Sequence, residues 1–508
     1  MQLTQGLRQS SQLHATRAAS VCDGRTRTWR EIERRVARLA AGIQSLGLGR
    51  GDRVALFGVN SDHYMEAFYA ILWAGCVAVP FNTRWAPAEI AHAMQDSLPR
   101  LLLVDAGLAA IVEPLLAPGC SILRMADDEV PGSAWALIAG HAPIADGSDK
   151  DRGLAAIFYT GGTTGNAKGV MLSHDGIIAN FLAQHAMAPY PEDTVFLHTP
   201  PLFHMADACC LFGLTMLGAT HVFLSGFDPT RTVAAIVEHR ISTLFLVPTM
   251  VGMLCEELAA RPADMSGVRK LFYGASSISE AVLARAMDLL PNARLCQAYG
   301  QTELSPVATL LVHQDHLDGK LTSAGRPIPQ VDLRILRDDG HAVAPGVVGE
   351  IAVRGPGVML GYWNLPELTR QTIQDGWLRT GDAGYLDEAG YLFLVDRVKD
   401  MIVSGGENIY SAEVENALLS HPAVLQCAVI GIPDAKWGEA VHAVIRLREG
   451  VSVSDSELTT YCATRIAKYK RPKSFNITNA PLPISAVGKI LKTELRRPFW
   501  EGRDRGIG

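Results

Sequence analysis

The 508-residue chain is too long for one ordinary domain, and its 48% hydrophobic content supplies ample material for a core. Its formal charge of −6, without long basic runs, argues against nucleic acid as a main partner. Nine scattered cysteines with no Cys-x-x-Cys pair suit free thiols in a reducing cytoplasm better than a disulfide framework.

The first seventeen residues are polar and carry no apolar signal core. Ile32, Val36, Leu39, Ile43 and Leu46 then recur at helical spacing, and Gly51-Asp52 turns into the apolar run 54–57. The stretch 67–81 is the most hydrophobic, yet Gly75 and Pro80 interrupt it and it is too short to span a bilayer. Further apolar runs at 101–104, 154–158, 195–197, 221–224, 243–247 and 270–273 read as buried strands. Amphipathic helices separate them, a pattern that predicts α/β architecture with parallel sheets covered on both faces. Ligands of such folds bind where loops leave the carboxyl ends of the strands, so the loops after Phe158, Val247, Tyr273 and Ala298 are the places to examine.

After about residue 325 closely spaced glycines and prolines punctuate short runs such as 331–336 and 350–353, which predicts a β-rich section with tight turns. A last unit starts near residue 398, with strands expected at 423–430 and 441–447 and helices near 413–419 and 457–467. The chain ends Arg505-Gly506-Ile507-Gly508, without a lipidation or peroxisomal signal. The expectation is a cytoplasmic protein with no integral membrane segment, a monomer or homodimer.

The most informative segment is Tyr159-Thr160-Gly161-Gly162-Thr163-Thr164-Gly165-Asn166-Ala167-Lys168-Gly169. Its glycines permit close backbone approach to an anion, its threonines supply hydroxyls, and Lys168 supplies an ammonium. The spacing is not that of the usual nucleotide-triphosphatase loop, and a glycine-rich surface connection reads the same way in isolation. Later segments add Tyr299-Gly300-Gln301-Thr302-Glu303 after a predicted strand, Gly381-Asp382 after a turn, and Asp396-Arg397-Val398-Lys399-Asp400 where the last unit begins. Ser404-Gly405-Gly406-Glu407 forms a second glycine-rich turn, and Gly488-Lys489 lies in a small-residue loop. Each alone has a plain reading: Glu303 as a helix-start acid, Asp382 as a turn residue, Lys489 as a solvated lysine.

In this order and at these separations the segments resemble the adenylate-forming superfamily of acyl-CoA synthetases, luciferases and peptide-synthetase adenylation domains, over about residues 28–496. The chain looks most like free-standing bacterial acyl-CoA ligases, although Gly161 stands where serine is common and Ala167 where proline is common. The resemblance implies a large N-terminal domain of two doubly wound subdomains plus a small β-barrel, residues 1–397. It also implies a mobile α+β C-terminal domain, residues 398–508. The implied activity is AMP-forming acid–CoA ligation with ATP, Mg²⁺ and CoA, through an acyl-adenylate.

Residue by residue, the resemblance implies that Thr160, Gly161, Gly162, Thr163, Thr164, Gly165 and Lys168 grip the ATP phosphates, and that Thr302 meets the α-phosphate. Glu303 would hold Mg²⁺, as a hard oxygen ligand should. Gly274, Ala275, Ser276, Tyr299 and Gly300 would flank the adenine, with Asp382 and Arg397 on the ribose. Lys489 would bridge carboxylate and α-phosphate in the transition state. Lys399 matches the hinge about which the C-terminal domain rotates, presenting Gly405 and Gly406 along the pantetheine tunnel. Trp437, Arg471 and Lys473 match residues that meet CoA in some ligases, or else form a solvated basic face around a loop tryptophan.

His204 matches the gate beside the carboxylate, or is a packed loop residue. The acyl pocket would be walled by Met205, Ala206, Asp207, Val247, Ala298 and Pro306, mostly small or apolar, so an apolar acyl group of fatty or aromatic kind is expected. Asp207 is the odd member: it hydrogen-bonds a substrate hydroxyl or caps the following helix. No His/Cys spacing suggests zinc. A loader of separate acyl carrier proteins and a non-catalytic nucleotide or acyl sensor remain as alternatives.

Overall fold

Apolar runs bounded by turn residues bury both faces only inside a covered sheet, and the runs read from the sequence fall on strands of two such sheets. The computed structural model describes residues 1–126, 133–135, 140–147, 153–160, 167–276, 278–337, 339–397, 400–404, 407–434, 436–484 and 490–501, without the side chains of Asp396, Arg397 and Asn408. Two units result, one of Met1–Leu333 with Val353–Leu378, the other of Arg334–Ala352 with Arg379–Gly508.

In the first unit a nine-stranded sheet runs in the order Arg326–Pro327, Val307–Leu311, Arg294–Gly300, Lys270–Gly274, Thr243–Leu246, Val195–His198, Thr220–Phe223, Ala18–Cys22, Arg25–Thr28. Its middle strands are parallel, so Gly300, Gly274, Leu246 and His198 end at one edge. A seven-stranded sheet runs Gly361–Tyr362, Lys168–Ser173, Leu154–Thr160, Val77–Pro80, Arg53–Phe57, Leu101–Asp105, Ser121–Met125. It is parallel except at the Leu154–Thr160, Lys168–Ser173 and Gly361–Tyr362 end.

The apolar stretch expected around residue 67 is a helix, Asp62–Trp73, started by Ser61, whose hydroxyl accepts from Tyr64 N at 3.1 Å. Every one of its residues is buried, as a helix without a polar face must be. Phe68 packs 6.3 Å from Phe158 of the seven-stranded sheet and 4.9 Å from Phe212 of the helix Met205–Met216. That helix in turn meets His174–Met187 at Gly213, where a Cβ would lie 1.9 Å from the Phe181 ring. Two carboxylates on the buried helix are paired: Asp62 with Arg25 and Arg27, and Glu66 with Arg35 Nε at 2.8 Å and Trp135 Nε1 at 2.6 Å. The polar N-terminal stretch forms a helix, Leu3–Leu13, because Leu3 and Leu7, four residues apart, give it one buried face.

The strands Trp377–Leu386 and Leu392–Arg397 form an antiparallel hairpin, in the second unit from Arg379 onward, in which Asp382 and Arg397 are register partners. A mixed sheet runs Glu407–Ile409, Ile402–Ser404, Gly438–Leu447, Val424–Asp434, with Ser474–Thr478 parallel to Gly438–Leu447. Its core is Ile402, Val414, Leu418, Val429, Val441, Ile445 and Leu458. The helix expected at 457–467 spans Asp455–Ala463, because the Ser454 hydroxyl accepts from Glu457 N and starts it earlier. Among the described residues no helix is long and apolar enough to cross a membrane.

Candidate active site

The carboxyl edge of the nine-stranded sheet gathers residues far apart in sequence. Gly274 pairs with Ala298 across adjacent strands, and a Cβ on Gly274 would stand 2.3 Å from the Ala298 carbonyl oxygen. Only glycine allows that approach. Ala275 follows with φ +69, a left-handed conformation that a non-glycine residue adopts at a cost of order 1–3 kcal/mol. Such strain marks a turn whose backbone is fixed by its surroundings. Ser276 is half-buried beside it, and Val247 is buried at the end of the next strand.

Tyr299 is buried on the strand, and the short turn Thr302–Leu304 presents Glu303 at 8% exposure. Glu303 Oε1 accepts a hydrogen bond from Tyr362 Oη at 2.9 Å. Burial and that carboxylate together hold the Tyr362 phenol far above its ordinary range, so it remains a donor. Lys168 Nζ lies 4.9 Å from the centre of the same ring, within cation–π range. Tyr362 thus joins the predicted phosphate lysine to the predicted metal carboxylate. Thr160 pairs with Lys168 across a hairpin, which brings the two ends of the glycine-rich loop together. Gly161, Gly162, Thr163, Thr164 and Gly165 lie outside the described residues.

Glu303 Oε2 has no hydrogen-bond partner among the described residues, and among them no group of three or more His, Cys, Asp or Glu side chains is placed to hold a metal ion. One carboxylate with a spare oxygen suits Mg²⁺, which takes few protein ligands and completes its shell with phosphate oxygens and water.

His204 precedes Met205–Met216 as its N-cap residue, but its side chain makes no capping hydrogen bond. Burial pushes the imidazole down to about 4, with Arg84 adding to the shift, and its Nε2 has no hydrogen-bond partner among the described residues. Asp207 is not the cap. It lies fully buried on the first turn, its Oδ2 2.8 Å from His198 Nδ1. His198 Nε2 is 2.9 Å from His221 Nδ1, and His221 Nε2 is 3.2 Å from Thr215 Oγ1. The sequence gives no sign of this row, because its members come from two strands and a helix. Met205 is buried, Ala206 and Pro306 are half-buried, and a Cβ on Gly300 would meet the Pro306 carbonyl at 2.1 Å.

In the second unit Asp382 and Arg397 are cross-strand partners. Lys399, Gly405, Gly406 and Lys489 lie outside the described residues; Ser404 and Glu407, on either side of the two glycines, are register partners. Trp437 is 41% exposed, with Lys436 Nζ 4.7 Å and Lys473 Nζ 5.3 Å from its ring centre. Asp434 Oδ1 accepts from both Lys436 N and Trp437 N at 2.9 Å and fixes that turn. Arg471 donates instead to the carbonyls of Ile466 and Ala463 at the end of the preceding helix, each at 3.3 Å. The structure therefore sets Lys473 beside Trp437, while Arg471 donates to those two carbonyls.

Residues 7–363 match the model of the AMP-binding enzyme family, and residues 413–489 that of the AMP-binding enzyme C-terminal domain. A feruloyl-CoA synthase from an Amycolatopsis species is 39% identical over 482 residues, covering 94% of each chain. A fatty acid–[acyl-carrier-protein] ligase of Streptomyces coeruleorubidus is 36% identical, covering 99% of this chain and 98% of its own. Among solved structures, o-succinylbenzoate coenzyme A synthetase from Bacillus subtilis in complex with ATP and magnesium ion is 31% identical. It superposes with a TM-score of 0.86, covering 96% of this chain and 98% of that one.

Proposed function

The chain belongs to the AMP-binding enzyme family, and from that premise we propose that it is an AMP-forming acid–CoA ligase. A carboxylate attacks the α-phosphate of ATP and releases pyrophosphate; the thiol of CoA then attacks the acyl-adenylate carbonyl and releases AMP. The observation that carries the reading is the meeting of Lys168 and Glu303 across Tyr362, a cation and a carboxylate held on one ring, as joint handling of a polyphosphate and its metal would require.

The first step brings an anion against a polyanion, so positive charge and N–H donors must be held where negative charge accumulates. Thr160, Lys168 and the loop 161–165 serve the phosphates, and Thr302 the α-phosphate. Glu303 holds Mg²⁺, which when bound neutralises charge on the phosphate oxygens. Gly274, Ala275, Ser276, Tyr299 and Gly300 form the adenine wall. Asp382 accepts from the ribose hydroxyls with Arg397 beside it. Lys489 stabilises charge between carboxylate and α-phosphate, a contact whose loss costs on the order of 10²–10³ in rate. The second step needs a path for pantetheine instead; a turn of residues 398–508 about Lys399 withdraws Lys489 and brings Gly405 and Gly406 to that path. Trp437, Arg471 and Lys473 receive CoA. His204, Met205, Ala206, Asp207, Val247, Ala298 and Pro306 surround a fatty or aromatic acyl group. The thiols, all nine unbridged, suit a cytoplasmic protein.

The carrier-protein ligase relative favours a second reading, in which the acyl group passes to a carrier-protein thiol. Pyrophosphate release across a panel of carboxylic acids, with CoA, with a carrier protein and with neither, tests both readings. CoA-dependent AMP formation is expected; consumption of carrier thiol alone selects the second reading, and a panel with no active acid overturns both. Lys489→Ala should lose adenylate formation yet still convert supplied acyl-adenylate to thioester.

A further inference from the structure

Four polar side chains lie wholly buried where an apolar acyl pocket has no need of them: Thr215, His221, His198 and Asp207. His198 ends the strand Val195–His198, at the same sheet edge as Leu246, Gly274 and Gly300, and Asp207 lies on the first turn of the helix that follows. Burial pushes the His221 imidazole well below its ordinary range and keeps it neutral, with one N–H and one acceptor nitrogen. The three contacts then admit a consistent set of donors. The Thr215 hydroxyl donates to His221 Nε2, His221 Nδ1–H donates to His198 Nε2, and His198 Nδ1–H donates to Asp207 Oδ2.

With Asp207 ionised, every proton in the row points toward it. Its other oxygen, Oδ1, is buried and accepts from no described residue. A buried acceptor without a partner is costly, and a row of side chains that holds one carboxylate oxygen while leaving the second bare is arranged for a donor from outside. On the same turn His204 and Ala206 are half-buried between buried neighbours, and His204 Nε2 likewise has no partner among the described residues.

Resting on the ligase reading, we propose that Asp207 selects the acid. Oδ1 accepts a hydrogen bond from a hydroxyl carried on the apolar body of the substrate, remote from its carboxylate, and His198, His221 and Thr215 position that oxygen. The substrate class is a hydroxylated monocarboxylic acid, with the hydroxyl on a ring or on an alkyl chain. A second carboxylate is disfavoured, because it would meet Asp207 with like charge.

The test is kcat/KM for CoA-dependent pyrophosphate release on matched acids: a 4-hydroxyaryl acid, its deoxy analogue and its O-methyl ether, together with an ω-hydroxyalkanoic acid and its deoxy parent. A site built around a substrate hydroxyl rejects the analogue that lacks it, and a preference of about 10² or more for the hydroxyl acid is expected. The methyl ether should fare as poorly as the deoxy acid, since it has no proton to donate. Whichever hydroxyl pair shows the preference identifies the ring or the chain as its carrier. Asp207→Val should collapse the hydroxyl-to-deoxy ratio toward one, and this ratio does not depend on how much of the variant is folded. His221→Phe should lower the ratio in part. Turnover without hydroxyl preference in the wild type, or an Asp207→Val ratio equal to the wild-type ratio, overturns the proposal alone. No turnover with any acid overturns the ligase reading, and the proposal with it.

Discussion

Replacing Tyr362 by phenylalanine removes one oxygen and leaves the ring under Lys168 in place, so it isolates the hydrogen bond to Glu303. The bond is 2.9 Å long, its acceptor is a carboxylate at 8% exposure, and the phenol stays protonated throughout the working range. Hydrogen bonds to charged groups contribute roughly 1.5–3 kcal/mol. Partners that orient a metal-binding carboxylate typically change metal affinity by about 10- to 100-fold when lost. The expected result for Tyr362→Phe is therefore an apparent Mg²⁺ affinity about 10- to 100-fold weaker, with the Michaelis constant for ATP at saturating Mg²⁺ nearly unchanged. The assay is initial-rate pyrophosphate release with Mg²⁺ titrated at fixed ATP, paired with Mn²⁺ binding followed by electron paramagnetic resonance in the presence of ATP. Tyr362→Leu should additionally raise the Michaelis constant for ATP, because the cation–π contact with Lys168, of order 0.5–2 kcal/mol, goes with the ring. A Phe variant whose Mg²⁺ half-saturation stays within twofold of wild type would show that the tyrosine hydroxyl does not set the metal carboxylate.

Three further outcomes are expected. The His204 imidazole is held at about 4 against an ordinary 6.5, so between those pH values the unfolded chain binds a proton that the folded chain does not; stability falls as pH drops through that window, by up to about 3 kcal/mol. In His204→Phe the fall in denaturation midpoint between pH 7 and pH 4.5 should shrink, and an unchanged fall would mean the histidine is solvated. Gly274→Ala forces a Cβ to 2.3 Å from the Ala298 carbonyl oxygen, so calorimetry should register a loss of about 1–3 kcal/mol and kinetics a higher Michaelis constant for ATP. Glu66→Gln removes the charge that answers Arg35 and Arg27 on the buried helix, and urea denaturation should report a loss of about 3–5 kcal/mol; a loss under 1 kcal/mol would mean water already screens the cluster.

The strands of both large sheets were legible because parallel strands covered on two faces must be apolar throughout, and runs such as 101–104 and 270–273 have no other home. The strands that flank the glycine-rich segment, the turn carrying Glu303 and the Asp382 hairpin were legible for a different reason: each is a short contiguous stretch whose turn residues are neighbours along the chain. Boundaries fared less well where capping decides them, as at Ser454, and the Leu3–Leu13 helix escaped notice because two leucines are a faint periodic signal.

Sequence by itself determined which segments carry charge, glycine and buried strand character, since those are properties of neighbours along the chain. Tertiary structure alone decided which distant groups meet: Tyr362 between Lys168 and Glu303, Arg471 turned to a helix end rather than toward Trp437, and Asp207 drawn into a row with two histidines and a threonine. Hydrogen bonds and ring contacts act over a few ångströms, and the folding of strands and helices, not their spacing in sequence, sets which atoms come within that reach.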